Sequence, residues 1–155
     1  MRATDLIREQ HEEARGLFGE VQRAPVEEQA ELGRELAATL RAHLQMEQEL
    51  LYPRFQEKQG FEELIERSID DHNRATMAIG EFERAEPGDP DFTASCKKVQ
   101  QLVFDHMSVE ERDLLPKLEG MWTNDLLEQL GDELKRRYDA ILDDIQLGIG
   151  EELGG

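Results

Sequence analysis

The chain has 155 residues and a formal net charge of −18, because 36 Asp and Glu outnumber 18 Lys and Arg. This length is typical of one domain with its own core, and the negative charge opposes binding to phosphate backbones and anionic membrane surfaces. One cysteine excludes an internal disulfide, and we find neither an N-terminal leader nor an apolar run of about 18 residues that would span a membrane. We expect a cytoplasmic protein whose partners include neither nucleic acid nor a membrane.

Five helices are predicted in chain order, because apolar residues recur at intervals of three and four and no segment alternates like a strand. They cover residues 4–23, 26–59, 61–85, 91–119 and 123–145, and short turn-rich stretches such as "KQG" and "AEPGDPD" lie between them. Short connections join antiparallel neighbours. The predicted fold is all-α: an antiparallel up-down four-helix bundle over residues 1–120, an appended C-terminal helix of the same domain over 121–146, and a flexible tail over 147–155.

An internal repeat relates the first two helices to the next two. The stretch "HEEARGLFGEV" from His11 aligns without gaps with "HNRATMAIGEF" from His72, and "HLQMEQELLYPRF" from His43 aligns with "HMSVEERDLLPKL" from His106. The bundle is therefore predicted to be a duplicated αα-hairpin. Each copy carries one histidine on its first helix and a His-x-x-x-Glu motif on its second, which accounts for all four histidines of the chain.

These histidines and glutamates share helical faces with apolar residues. Side chains at positions i and i+4 project from one face, so each His-x-x-x-Glu pair can point at one place. A single histidine on an apolar face is more often a core residue than a ligand, but six buried ionisable groups without partners would each cost several kcal/mol. A bound metal offsets that cost. No catalytic or organic-cofactor-binding residue is predicted, and the predicted metal ligands are His11, His43, Glu47, His72, His106 and Glu110.

The ligand types and their spacing favour iron. Imidazoles with carboxylates suit iron, and two carboxylates facing each other across a bundle can bridge two ions. Zinc peptidases need H-E-x-x-H, and ferritin-type bundles need a glutamate three residues before a histidine; neither motif occurs here. Bis-histidine haem ligation would leave two histidines and both glutamates unexplained.

The complete pattern H…H-x-x-x-E…H…H-x-x-x-E, with "LLYP" and "LLP" after the glutamates, covers residues 11–116 and resembles the hemerythrin-like, or HHE cation-binding, domains. The resemblance implies an antiparallel four-helix bundle around a non-haem centre of two iron ions, bridged by an oxo or hydroxo group, that binds oxygen or related small ligands. It implies that His11 and His43 hold one iron, that His72 and His106 hold the other, and that Glu47 and Glu110 bridge both.

One position departs from the family's oxygen carriers, which have a fifth histidine one turn before the residue matching His72. This chain has Ser68 there. Since serine is a poor iron ligand, we expect open positions for water, hydroxide, oxygen or peroxide. That departure gives weight to iron sensing, nitric oxide responses and peroxide chemistry over a pure oxygen carrier.

Two functions of different classes follow. The first is a binding protein that takes up O2, or also NO, for storage or sensing; the alternative is a di-iron oxidoreductase that reacts with peroxide. The sequence favours the binding protein slightly, since it shows no substrate pocket, electron-transfer motif or effector domain. The expected partner is a small ligand such as O2, NO or peroxide, and the chain is expected to be a monomer or a weak homodimer.

Other residues are predicted to have structural roles. Tyr52 lies about half a turn out of phase with the ligands and is predicted to pack at the surface, although Pro53 can distort that turn. Glu49 and Glu111 are predicted to be solvated. Cys96 is predicted to be a buried thiol, and Trp122 to help dock the fifth helix.

Overall fold

The computed structural model describes residues 1–154 of the chain, and the side chains of residues 1–148. The helices are Ala3–Arg23 (α1), Val26–Met46 (α2), Tyr52–Phe55 (α3), Glu62–Arg84 (α4), Pro90–Val109 (α5), Leu115–Met121 (α6) and Asn124–Gly154 (α7). Two π-helical turns, Glu47–Leu51 and Glu110–Leu114, connect α2 to α3 and α5 to α6. Residues 1–154 contain no strand, so the all-α prediction is confirmed.

Two helical hairpins make up the bundle, one from α1 to α3 and one from α4 to α6, and the main packing within them is α1 on α2 and α4 on α5. The turn between the hairpins includes Gly60, whose φ of 89° is in the left-handed region that favours glycine. The observed architecture, an antiparallel bundle with an additional C-terminal helix, agrees with the prediction. The structure differs in that π-helical turns interrupt the second and fourth predicted helices.

Each π-helical turn ends two residues before a proline that lies in the first turn of the next helix, Pro53 or Pro116. Proline lacks the N–H that would continue the i→i−4 ladder. The residue before each proline instead bonds five residues back: the N–H of Tyr52 donates to the carbonyl of Glu47, and that of Leu115 to the carbonyl of Glu110. The repeated proline therefore changes the helical register at the same place in both hairpins.

The apolar core consists of two clusters along the bundle. One lies towards the start of α1 and includes Leu6, Phe55 and Ile65, whereas the other lies towards the opposite end and includes Phe18 and Phe82. Along α1, His11 lies between residues of the first cluster and residues of the second, and the motif residues of the other long helices lie at the same level. A layer of buried polar side chains thus separates the two clusters.

Helix α7 packs on α1 and α2. It approaches the start of the chain so closely at Gly131 that a Cβ there would lie 2.1 Å from the carbonyl oxygen of Met1. Trp122, just before α7, stacks with Phe55 at 5.0 Å between ring centroids and packs on the first cluster, as the sequence predicts. The helix continues past its predicted end near residue 145, and its backbone is helical to Gly154.

The flexible tail predicted for residues 147–155 mostly lies outside the described side chains, and Gly155 lies outside the described backbone; its flexibility stays a prediction. None of the helices in the described part of the chain is long and apolar enough to cross a membrane.

Candidate metal centre

All six predicted ligands are buried in the polar layer between the two apolar clusters. They form two groups, and within each group one ligand atom per residue lies within 4.8 Å of all the others. The first group is His11, His43, Glu47 and Glu110, and the second is Glu47, His72, His106 and Glu110. Both glutamates belong to both groups, and each pair of histidines belongs to one hairpin.

The first group is formed across the hairpins. His11 Nε2 lies 3.2 Å from Glu110 Oε1, on the opposite hairpin, and His43 Nε2 lies 3.1 Å from Glu47 Oε1, one turn further along its own chain segment. The rings of the two histidines meet edge to face with centroids 5.1 Å apart. Helices α1 and α2, which pack on each other, thus direct both imidazoles towards the carboxylates.

In the second group the two imidazole rings lie closer together, with centroids 4.6 Å apart. His72 Nε2 lies 3.2 Å from Glu47 Oε1, and His106 Nε2 lies 3.5 Å from Glu110 Oε2. The Nε2 atoms of the two histidines are only 2.9 Å apart. These two nitrogens and the oxygens of Glu47 and Glu110 are thus potential donor atoms that lie close together in one buried place.

The donor atoms of this layer fit a bound cation. Among the described side chains, His11 Nε2, His43 Nε2, Glu47 Oε2 and Glu110 Oε1 are buried and form no hydrogen bond. The close contacts of the two histidines with the glutamates meet a distance criterion but not the geometry of a hydrogen bond. Buried polar atoms without partners are costly, and most are satisfied in native proteins. A cation that accepts imidazole nitrogens and carboxylate oxygens satisfies such atoms together, so this donor set is suited to a metal centre.

Titration behaviour in this layer reflects the competition between burial and opposite charge. Burial opposes ionisation of both glutamates, yet the histidines around them lower the pKa of Glu47 well below its ordinary value and also lower that of Glu110. Burial likewise opposes protonation of His106, but Glu110 and Asp71 raise its pKa well above the usual range. For His72 burial prevails and its pKa is lowered.

Tyr52 is buried and contacts residues of the second group, so the prediction that it packs at the surface is wrong. Its hydroxyl donates to Glu110 Oε2 at 2.7 Å and lies 2.8 Å from His72 Nε2 and 3.2 Å from His106 Nε2. On a regular α-helix Tyr52 would be rotated roughly 140° from Glu47, but the wider π-helical turn between them removes most of that rotation. The indication of this change in the sequence is Pro53, which can distort the preceding helical turn.

Most of the chain, including both hairpins, matches a known protein family. The family model described as the hemerythrin HHE cation binding domain matches residues 2–118. The chain belongs to this family. The match spans both hairpins and ends before α7, so the metal-ligand candidates lie within the family domain.

Two individual proteins are similar to this family member. A DNA nickase from Nostoc sp. (strain PCC 7120 / SAG 25.82 / UTEX 2576) is 27% identical over 157 aligned residues, which cover 100% of this chain but 43% of that protein. The chain therefore spans less than half the length of this curated relative. The crystal structure of a hemerythrin HHE cation binding domain-containing protein from Mycobacterium kansasii superimposes with a TM-score of 0.81 at 24% identity, covering 93% of this chain and 89% of the other, which shows the shared fold.

The outward-facing nitrogens of this HHE domain have partners that the sequence analysis missed. His43 Nδ1 lies 2.6 Å from Gln10 Oε1, and His11 Nδ1 lies 2.9 Å from Glu111 Oε2. Glu111 is therefore only partly solvated, with 31% of its side chain exposed, because its carboxylate lies between His11 and the guanidinium of Arg15. In the sequence, the one indication that Gln10 lies near the site is its position directly before His11.

The remaining predictions have mixed outcomes. Cys96 is a buried free thiol, as predicted, and Glu49 is exposed, although it pairs with Arg137 of α7. Ser68 is buried in the core, and its hydroxyl has no hydrogen-bond partner among the described side chains. Next to His72, where the sequence predicts an open coordination position, the phenol oxygen of Tyr52 lies 2.8 Å from Nε2.

Proposed function

We propose that this protein binds two iron ions in a non-haem centre and takes up a small diatomic ligand, O2 or also NO, for storage or sensing. The observation that carries the proposal is that Glu47 and Glu110 each belong to both groups of candidate ligands. A carboxylate with two oxygens can reach two adjacent cations, and facing carboxylates in a helical bundle hold pairs of metals in this way. A single-metal site would need only one of the two histidine pairs.

The residues would divide as follows: His11 and His43 for the first ion, His72 and His106 for the second, Glu47 and Glu110 for both. Imidazole and carboxylate ligands together suit iron, which supplies reversible binding of diatomic ligands at open coordination positions. The phenol oxygen of Tyr52 is a further donor beside the second position. Open coordination is therefore expected mainly at the first position.

The depth of the centre supports a small ligand. The side chain of His43 has the greatest exposure among the six candidates, at 8%, and both glutamates have none. A substrate larger than a few atoms could not touch these groups without separating the helices. Gases and peroxide are small enough to reach a site of this kind.

A peroxide-reactive di-iron oxidoreductase is the second candidate. It is favoured by Ser68 in place of the histidine of oxygen carriers, and by the first group, where two imidazoles and two carboxylates leave positions open. The placement of Tyr52 weakens it, since the phenol oxygen occupies the space that Ser68 was expected to leave at the second position.

The relative from Nostoc is named a DNA nickase. We do not propose that function for this chain, because its formal charge of −18 repels phosphate backbones. The proposed partner is the small ligand alone, with the protein acting in the cytoplasm as a monomer or weak homodimer.

Metal analysis followed by anaerobic reduction and exposure to oxygen tests the proposal. We expect close to two irons per chain and an absorbance change on adding O2 or NO that reverses when the gas is removed. One zinc per chain, or no metal after growth with abundant iron, would overturn the proposal. Irreversible oxidation in air together with rapid consumption of peroxide would favour the oxidoreductase.

A further inference from the structure

The four histidines all direct Nε2 towards the shared carboxylates, but their Nδ1 atoms differ. Within each hairpin, the residue before the first histidine faces the second histidine: Gln10 lies 2.6 Å from His43 Nδ1, and Asp71 lies 3.5 Å from His106 Nδ1. Gln10 and Asp71 occupy equivalent positions in the internal repeat. The two residues therefore occupy the same place in both hairpins, but only Gln10 forms a hydrogen bond; Asp71 is further away, and His106 Nδ1 has no hydrogen-bond partner among the described side chains.

The other two histidines break the symmetry. Glu111, directly after Glu110, reaches across the bundle to His11 Nδ1 at 2.9 Å. The equivalent residue of the first hairpin is Gln48, whose side chain is exposed. Correspondingly, His72 Nδ1 is buried and has no partner among the described side chains.

Glu111 is itself held in place. Arg15 donates two hydrogen bonds to its carboxylate, at 2.9 and 3.1 Å, from one turn beyond His11 on α1. Both side chains are about 30% exposed, whereas His11 is fully buried. The pair thus forms a partly covered bridge from the bundle surface to the outer edge of the His11 ring.

We propose that Glu111, fixed by Arg15, is a positioning residue for the metal ion held by His11 and His43, and that the other ion has no such support on His72. The inference rests on the proposed two-metal centre. A carboxylate accepting from Nδ1–H keeps the proton on that nitrogen and leaves the Nε2 electron pair free for a metal. Without it, the imidazole can rotate or carry its proton on Nε2, which cannot then ligate. The two metal positions are consequently inequivalent.

Anaerobic titration of the metal-free protein with Fe²⁺ in competition with a chelator tests this role. The wild type should bind two ions. In Glu111→Ala the affinity for one of the two should fall roughly 10–100-fold, with the other unchanged. Glu111→Gln should recover most of the loss, because an amide oxygen can accept the same hydrogen bond, as Gln10 does for His43. Gln48→Ala, at the equivalent exposed position, is the matched control and should bind as the wild type does.

A second measurement separates orientation from general destabilisation. In the Zn²⁺-loaded, diamagnetic protein, NMR should show a slowly exchanging Nδ1–H proton for His11 that disappears in Glu111→Ala and persists in Glu111→Gln and Gln48→Ala.

Three results would overturn the positioning role: two-ion binding by Glu111→Ala equal to that of the wild type, equal weakening of both ions, or an equal loss in Gln48→Ala. A wild type that binds fewer than two ions would overturn the proposed function, and this inference with it. A two-ion wild type with an unaffected Glu111→Ala would overturn only the inference.

Discussion

The two hairpins present equivalent candidate ligands in different surroundings. Each supplies two histidines and one glutamate, and each has a π-helical turn that begins at the glutamate. The residue directly after that turn is Tyr52 in the first hairpin, where it reaches the candidate ligands of the second, and Leu115 in the other, where it joins the apolar core. Duplication thus accounts for the set of candidate ligands, and substitutions at neighbouring equivalent positions make the surroundings of the two candidate groups chemically distinct.

The hairpins also differ in their contacts with the C-terminal helix α7. Helix α7 packs on α1 and α2 and contacts the first π-helical turn. Ion pairs from Arg137 to Glu49 and from Glu133 to Arg54 connect α7 to that turn and to α3. The segment carrying Glu47 and Tyr52 is therefore held from outside the bundle. This difference suggests that the geometry around Tyr52 depends on α7, which lies outside the family match.

The largest expected effect tests what the hairpins share. Glu47→Ala or Glu110→Ala should each abolish binding of both ions, whereas His43→Ala or His106→Ala should each remove one. The glutamate variants remove a donor common to both groups, and the folded protein also loses the stabilisation contributed by metal binding. Metal content and thermal unfolding of the purified variants decide it. Full occupancy in either glutamate variant would contradict shared ligation.

Removal of α7 packing is expected to have the next largest effect. Leu134 is completely buried against the first apolar cluster, so Leu134→Ala should lower the free energy of unfolding by about 2–5 kcal/mol. Leu126, on the same helix, is 42% exposed, and Leu126→Ala should change it by less than about 0.5 kcal/mol. Urea denaturation of both variants gives the comparison. Equal losses would mean that burial of Leu134 against the first apolar cluster does not stabilise the fold.

Tyr52 offers a way to remove one difference between the metal positions. Tyr52→Phe keeps the ring and deletes the oxygen, so the protein should still bind two irons but bind the second roughly tenfold more weakly, equivalent to ~1.4 kcal/mol. Any visible absorption that arises from a phenolate donating to ferric iron should disappear. Tyr138 is the other tyrosine of the chain and lies in α7, so Tyr138→Phe is the control. If the two variants have identical spectra, Tyr52 is not a donor.

The smallest expected effect concerns the hydrogen bonds that Glu119, at the end of the second hairpin, accepts from α1. Hydrogen bonds from Arg8 and Thr4 lower the pKa of Glu119 to about 2; the equivalent residue of the first hairpin is the neutral Gln56. Glu119→Gln should cost about 0.5–1 kcal/mol at pH 7.

The pH dependence of that effect follows from the direction of the shift. Because the pKa is lower in the folded protein than the ordinary value of 4.5, the carboxylate stabilises the fold above the ordinary value, and this contribution is lost as pH falls towards about 2. The difference in unfolding free energy between wild type and Glu119→Gln should therefore shrink between pH 5 and pH 2. Denaturant titrations at several pH values measure it, and a constant difference would show that the ionised form is not responsible.

Much of the architecture could be predicted from the sequence because the evidence was local. Helical periodicity, turn residues and the short connections determined the antiparallel bundle, and the gapless internal repeat identified six candidate ligands that the fold brings into one layer. A four-residue spacing places two side chains on one helical face wherever that helix packs. The repeat therefore indicated the metal-ligand candidates before any packing was known.

The tertiary structure decided which other residues lie beside the six candidate ligands. Tyr52 was displaced from its helical phase by the π-helical turn, and Gln10, Glu111 and Asp71 acquired their histidine partners from neighbouring helices. The distance between two side chains on different helices depends on the rotation and offset of those helices, which are set by packing of the apolar clusters and not by spacing along the chain. The sequence by itself thus determined the ligand candidates, and only the packed bundle decided how the two positions differ.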